Sequence, residues 1–150
     1  MTEKEFQTKF TEWVRERPKG YFNNCALELK LCKEKSLPFD RVDDHQILAL
    51  QDVKHKHKYH KITDQPYIGP CQKCGFQRRY MFTAKKPFDC FILAEADAFV
   101  VVWFYKEGVR KGQREMIFID IDDFVNERLS CDRKSIREER AKEIGKIIHF

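Results

Sequence analysis

No stretch of about 18 uncharged apolar residues occurs in the sequence, so a membrane-spanning helix is not expected. The opening, Met1 to Phe10, is charged and polar and lacks the apolar core of a secretory leader, which makes the cytoplasm the expected compartment. Internal repeats and low-complexity linkers are absent as well. With 150 residues, the chain is expected to build one compact domain, 1–150, around one core. What is present argues for a folded chain: 42% of residues are hydrophobic, 35% are charged and 13 are Phe, which excludes intrinsic disorder.

Six Cys without an export signal read as reduced thiols plus one metal pair, because only Cys71 and Cys74 have ligand spacing. The net charge is +5, from 29 basic and 24 acidic residues, and it is unevenly spread. Lys54, His55, Lys56, His57, Lys58, His60 and Lys61 form one basic run, and Arg78, Arg79, Lys85 and Lys86 another. Clustered cations of this kind suit a polyanionic partner, since they replace condensed counterions along a phosphate backbone. A solvated surface has the same composition, so charge alone does not decide.

Apolar periodicity organises the chain. Phe6, Phe10, Trp13 and Val14 mark an amphipathic helix over Glu3 to Arg17, opened by a Thr2/Glu5 capping box and stopped by Pro18 and Gly20. From Tyr21 to Cys32 the pattern alternates: Cys25, Leu27, Leu29 and Leu31 share one face of a strand, and Ala26, Glu28, Lys30 and Cys32 the other. Lys33 to Phe39 reads as a polar turn, followed by a helix from His45 to about Lys54 capped by Asp43 or Asp44. Short strands are expected at Tyr59 to Ile62, Phe76 to Phe82 and Phe88 to Leu93, with 66–84 as an inserted loop carrying the Cys pair. Ala98 to Tyr105 is apolar enough to be buried on both faces and is expected beside the Phe88 to Leu93 strand, as a hairpin or neighbour. A strand at Met116 to Ile121 follows, then a helix started by Asp122 or Asp123. The last helix is expected from a Ser135/Glu138 capping box, with Ile136, Ala141, Ile144 and Ile148 as its apolar positions.

The chemistry centres on Ala26-Leu27-Glu28-Leu29-Lys30. A carboxylate and an ammonium two residues apart on one strand face can act at one phosphate, Glu28 on a divalent cation and Lys30 on water and developing charge. The Leu29 backbone carbonyl can complete the oxygen shell. By itself the pair also describes the wet face of any amphipathic strand.

The order of Glu28-x-Lys30, a short basic turn, Ser36-Leu37-Pro38-Phe39 and a helix opening on His45-Gln46 resembles the PD-(D/E)xK nucleases, in particular the RecU-like Holliday-junction resolvases. The resemblance implies an α/β fold with a restriction-endonuclease-like core, a mixed central sheet flanked by helices. It implies that Gln46 points at the metal or the scissile phosphate, with His45 orienting it or contacting DNA. The family's metal-binding Asp precedes the Glu-x-Lys strand, and no Asp does so here. A migrated Asp, similar to that of phage-type resolvase-like nucleases, is therefore expected at Asp89, with Asp64 as the other candidate. An acid on the opening helix, common in this fold, would be Glu5 or Glu12.

The expected activity is Mg2+- or Mn2+-dependent endonucleolytic hydrolysis of DNA, branched DNA by the resemblance, as in recombination and repair, with a homodimer cutting two strands. Glu28, Asp89 and the Leu29 carbonyl would hold the metal, with Lys30 and Gln46 placing the water. Lys54, Lys56, Lys58, Arg78, Arg79, Lys85 and Lys86 would meet DNA. Cys71 and Cys74, with His55, His57 or His60, form a candidate structural zinc site that would pin the inserted loop and leave Arg78, Arg79 and Tyr80 to reach nucleic acid. The other readings are a noncatalytic, zinc-stabilised nucleic-acid-binding module, and a nuclease of the same fold acting on linear duplex or ends.

Overall fold

The computed structural model describes residues 1–18, 25–56, 58–62, 89–93 and 95–150, the backbone alone for 58–62 and 89–93. The chain divides into two compact units, Met1–His57 with Ala94–Phe150, and Lys58–Leu93. The 66–84 loop expected as an insertion falls within the second unit, outside the described residues.

The first unit is built on a mixed sheet of four strands: β1 (Cys25–Cys32), β5 (Asp97–Phe104), β6 (Glu115–Asp120) and β8 (Lys146–His149), in the order β1-β5-β6-β8. The β1–β5 pair is parallel, with Glu28 opposite Val100 and Lys30 opposite Val102, whereas β5–β6 and β6–β8 are antiparallel. Helices cover both faces. On one side α1 (Glu3–Arg15) presents buried Phe6, Phe10 and Trp13 to Leu31, Val101, Trp103, Met116 and Phe118. Each such large side chain contributes about 1.5–3 kcal/mol by leaving water. On the other, α2 (Asp44–His55), α3 (Ile121–Ser130) and α4 (Glu138–Ile144) pack over Cys32, Ala98, Val100, Val102, Ile117 and Ile119. Thus β5 is covered on both faces, as its uninterrupted apolar run requires. Among the described residues, no helix is long and apolar enough to cross a membrane.

In the second unit, β3 (Lys58–Ile62) and β4 (Asp89–Leu93) form an antiparallel ribbon with Ile62 opposite Asp89. The expected pairing of β4 with β5 does not occur, because both edges of β5 are taken by β1 and β6. Four further expectations are corrected. Ser36–Pro38 is not a turn but a short strand, β2, paired antiparallel with β7 (Ser135–Arg137), so Ser135 begins a strand and α4 starts at Glu138. The cap of α3 is Asp120, whose side chain accepts from the Asp122 N–H, two residues before the nearer of the expected acids. Finally, α4 ends at Ile144, with Gly145 as its C-cap, and Ile148 belongs to β8 rather than to the helix.

Candidate active site

Strand alternation places Glu28 and Lys30 on the α2 side of β1, between Ala26 and Cys32, which both join the core on that face. Among the described residues Lys30 is the one charged side chain that is buried. A buried ammonium needs compensation. Its Nζ lies 3.0 Å from Glu28 Oε1 and donates to Gln46 Oε1 at 3.2 Å. Gln46 Nε2 in turn donates to Glu28 Oε1 at 2.9 Å. The three residues close a triangle between β1 and the first turn of α2.

The Gln46 amide has one orientation in this arrangement. Its oxygen accepts from Lys30 and also from the Asp43 backbone N–H at 3.1 Å, so its nitrogen must face the carboxylate. One residue therefore serves two ends: it satisfies an unpaired amide at the helix N-terminus and bridges to the strand. After these bonds, one N–H of Gln46, one N–H of Lys30 and Glu28 Oε2 have no partner among the described residues. These are the groups the site can offer to a ligand.

At the other end of α2, Lys54 Nζ lies 2.5 Å from Asp120 Oδ1 and 2.6 Å from Asp122 Oδ2. His55 Nε2 meets Asp122 Oδ1 at 2.9 Å. Burial pulls the Lys54 ammonium down, but hydrogen bonds and charge from Asp120 and Asp122 outweigh it and hold the ammonium above its ordinary value. Burial raises the Asp122 carboxyl, and the bonds from His55 and Lys54 carry it below the ordinary value. The charge of Lys54, read from the sequence as a DNA contact, is thus matched within the fold, and Lys56 lies 3.2 Å from Asp52. Sequence reasoning missed Asp120 and Asp122 as partners, since Asp120 lies 66 positions from Lys54 and no local pattern joins them.

Of the other expected residues, His45 is exposed and its Nδ1 is 4.0 Å from Asp43 Oδ2. Glu5 closes the α1 capping box with Thr2, and Glu12 is exposed on the same helix. The Asp89 backbone begins β4, and its side chain lies outside the described residues, as do those of Lys58 and His60. His57, Asp64, Cys71, Cys74, Arg78, Arg79, Tyr80, Lys85 and Lys86 are outside them altogether. His55 is engaged by Asp122.

The oxygen chemistry at Glu28 suits a hard divalent cation, which takes carboxylate, carbonyl and water ligands. Among the described residues no group of three or more His, Cys, Asp or Glu is placed to hold a metal ion. Glu28 is the carboxylate of the triangle, so a cation there needs a second one. Comparison of the chain with protein-family models, curated proteins and solved structures finds no match.

Proposed function

We propose that the chain is a metal-dependent endodeoxyribonuclease of the PD-(D/E)xK type, with a restriction-endonuclease-like core and a preference for branched DNA. The observation that carries this reading is the triangle itself: Lys30 Nζ, Glu28 Oε1 and Gln46 in mutual contact at 2.9–3.2 Å. A purely structural strand face has no need to bury a lysine and fix an amide against the same carboxylate. In support, the triangle sits on a mixed sheet flanked by helices, the architecture the resemblance implies.

Glu28 Oε2, the Leu29 carbonyl and Asp89 would hold Mg2+ or Mn2+, with Asp89 supplying the second carboxylate. When bound, such an ion supplies Lewis-acid stabilisation of phosphate charge and a more acidic water. Lys30, with one N–H left, donates to the attacking water or to a phosphate oxygen as negative charge grows there. The remaining N–H of Gln46, in an amide already fixed by two acceptor bonds, orients the same water without reorganisation. Cleavage of two strands at a junction calls for a twofold assembly, so the active form is a homodimer.

The test is incubation of the protein with a four-way junction and with linear duplex, with Mg2+ or Mn2+ and with chelator. Metal-dependent nicking of the junction is expected, falling by at least about 100-fold in Glu28→Gln and Lys30→Met. Wild-type protein that binds DNA but never cuts it favours the noncatalytic binding module instead. Variants that cut as well as wild type remove Glu28 and Lys30 from the chemistry.

A further inference from the structure

Helix α2 reaches from β1 to the end of β6, and polar contacts pin it at both ends. Gln46 and Lys54, the two pins, are eight residues apart, about 12 Å along a helix axis. Between them Ile47, Leu50 and Val53 are buried, and the helix lies over Ala98 and Val100 of β5. These apolar contacts are non-directional. They set which face of the helix is buried but not its exact angle, and Leu48, on the side away from Leu50 and Val53, is 60% exposed. A small turn about the axis that keeps this face buried would still withdraw Gln46 from Glu28, to which its Nε2 donates at 2.9 Å. What opposes such a turn is directional: Arg128 on Asp44 at the N-terminal end and, at the C-terminal end, the Lys54 ammonium between Asp120 and Asp122, with His55 on Asp122.

We propose that Lys54 is a positioning residue, which holds α2 in the rotational setting that keeps the Gln46 amide on Glu28 and Lys30. This rests on the nuclease reading for its catalytic consequence, although the geometry at issue is independent of it. The same ion pair makes Lys54 unsuited to phosphate contact, since two carboxylates already share its ammonium. Loss of the pin leaves Glu28 and Lys30 in place on β1 and loosens the third corner of the triangle.

The experiment compares Lys54→Met, Lys54→Arg and Asp122→Asn with wild type in two readouts: steady-state cleavage, and the NMR resonances of the Gln46 side-chain amide. For Lys54→Met, kcat is expected to fall about 10- to 100-fold at nearly unchanged KM, as for residues that orient a group from behind. The Gln46 amide protons should lose their hydrogen-bonded shift and exchange faster with water. Lys54→Arg should restore both, and Asp122→Asn, which leaves Asp120 on Lys54, should give an intermediate loss. A raised KM with unchanged kcat and an unchanged Gln46 signal overturns the proposal in favour of a DNA contact. If Lys54→Met does not fold, Asp122→Asn decides alone, and a wild-type Gln46 signal there overturns the proposal. Wild-type protein that never cuts DNA removes the nuclease reading, while the Gln46 resonances still test the pin.

Discussion

Lys30 keeps a tenth of its side-chain exposure while its ammonium lies 3.0 Å from Glu28 Oε1. Glu28 is therefore a structural partner as well as, on the proposed reading, a chemical one, and the two contributions separate by mutation. Glu28→Ala leaves a buried cation facing only the Gln46 amide oxygen and is expected to cost about 1–3 kcal/mol, below the full value for a buried pair because Glu28 is a quarter exposed. The double variant Glu28→Leu/Lys30→Met removes both charges and should recover most of that loss in urea unfolding, with cleavage still absent. A double variant no more stable than Glu28→Ala sinks this account of the pair.

Acid should weaken the fold through Asp122 and Glu138. Burial raises the Glu138 carboxyl, but bonds from Lys106 and Lys142 bring it below its ordinary value, as His55 and Lys54 do for Asp122. A carboxyl lowered by folding stabilises the native state above its unfolded value, and the contribution is lost as pH falls through the folded value. Stability is thus expected to be flat near neutrality and to decline below the ordinary values of 4.5 for Glu138 and 3.8 for Asp122. In Asp122→Asn the acid decline should be shallower. Urea midpoints across the acid range check this, and a decline identical to wild type contradicts it.

Gly145 is required for space rather than for backbone freedom. Its φ of −110° is open to any residue, but a Cβ there would lie 2.6 Å from Ile117 Cγ2 and 2.8 Å from the Ala141 carbonyl oxygen. Ile117 is buried in the middle of β6 and cannot easily give way. Gly145→Ala is expected to cost about 1–3 kcal/mol. The Tm should fall by roughly 2–4 °C for each kcal/mol lost. A Tm equal to wild type would mean that the α4–β8 corner relaxes freely.

What was legible in the sequence was local and periodic. Alternation at Leu27, Leu29 and Leu31 against Glu28 and Lys30 gave the faces of β1, and the Phe6, Phe10 and Trp13 spacing gave the buried stripe of α1. Gln46 was found because it follows the strand in order, and the fold brings it to Glu28. What escaped was non-local. The β2–β7 pair joins segments about a hundred residues apart through three residues each, too few to show a period, and one of them is Pro38. Ser135 and Glu138 have capping-box spacing, but the backbone between them is extended because Ile136 pairs with Leu37 in the core. Lys54 resembled its basic neighbours in sequence, and only the approach of the β6–α3 junction to the end of α2 gives it Asp120 and Asp122.

Within the first unit, the chain leaves after α2 and returns before β5, and the two stems are tied there: the Ala96 N–H donates to the Val53 carbonyl at 3.3 Å. The excursion over 58–93 thus begins and ends at one place in the first unit. Replacing it with a short Gly/Ser linker is expected to leave the helical and sheet signals of circular dichroism and a cooperative melt, while abolishing cleavage through loss of Asp89. An unfolded product would show that the first unit does not fold without 58–93. Lengthening or exchanging a loop whose ends are already held costs only about 0.6 kcal/mol per doubling. A lineage could therefore trade what it carries at this point while β1 and α2 keep Glu28, Lys30 and Gln46 where they are.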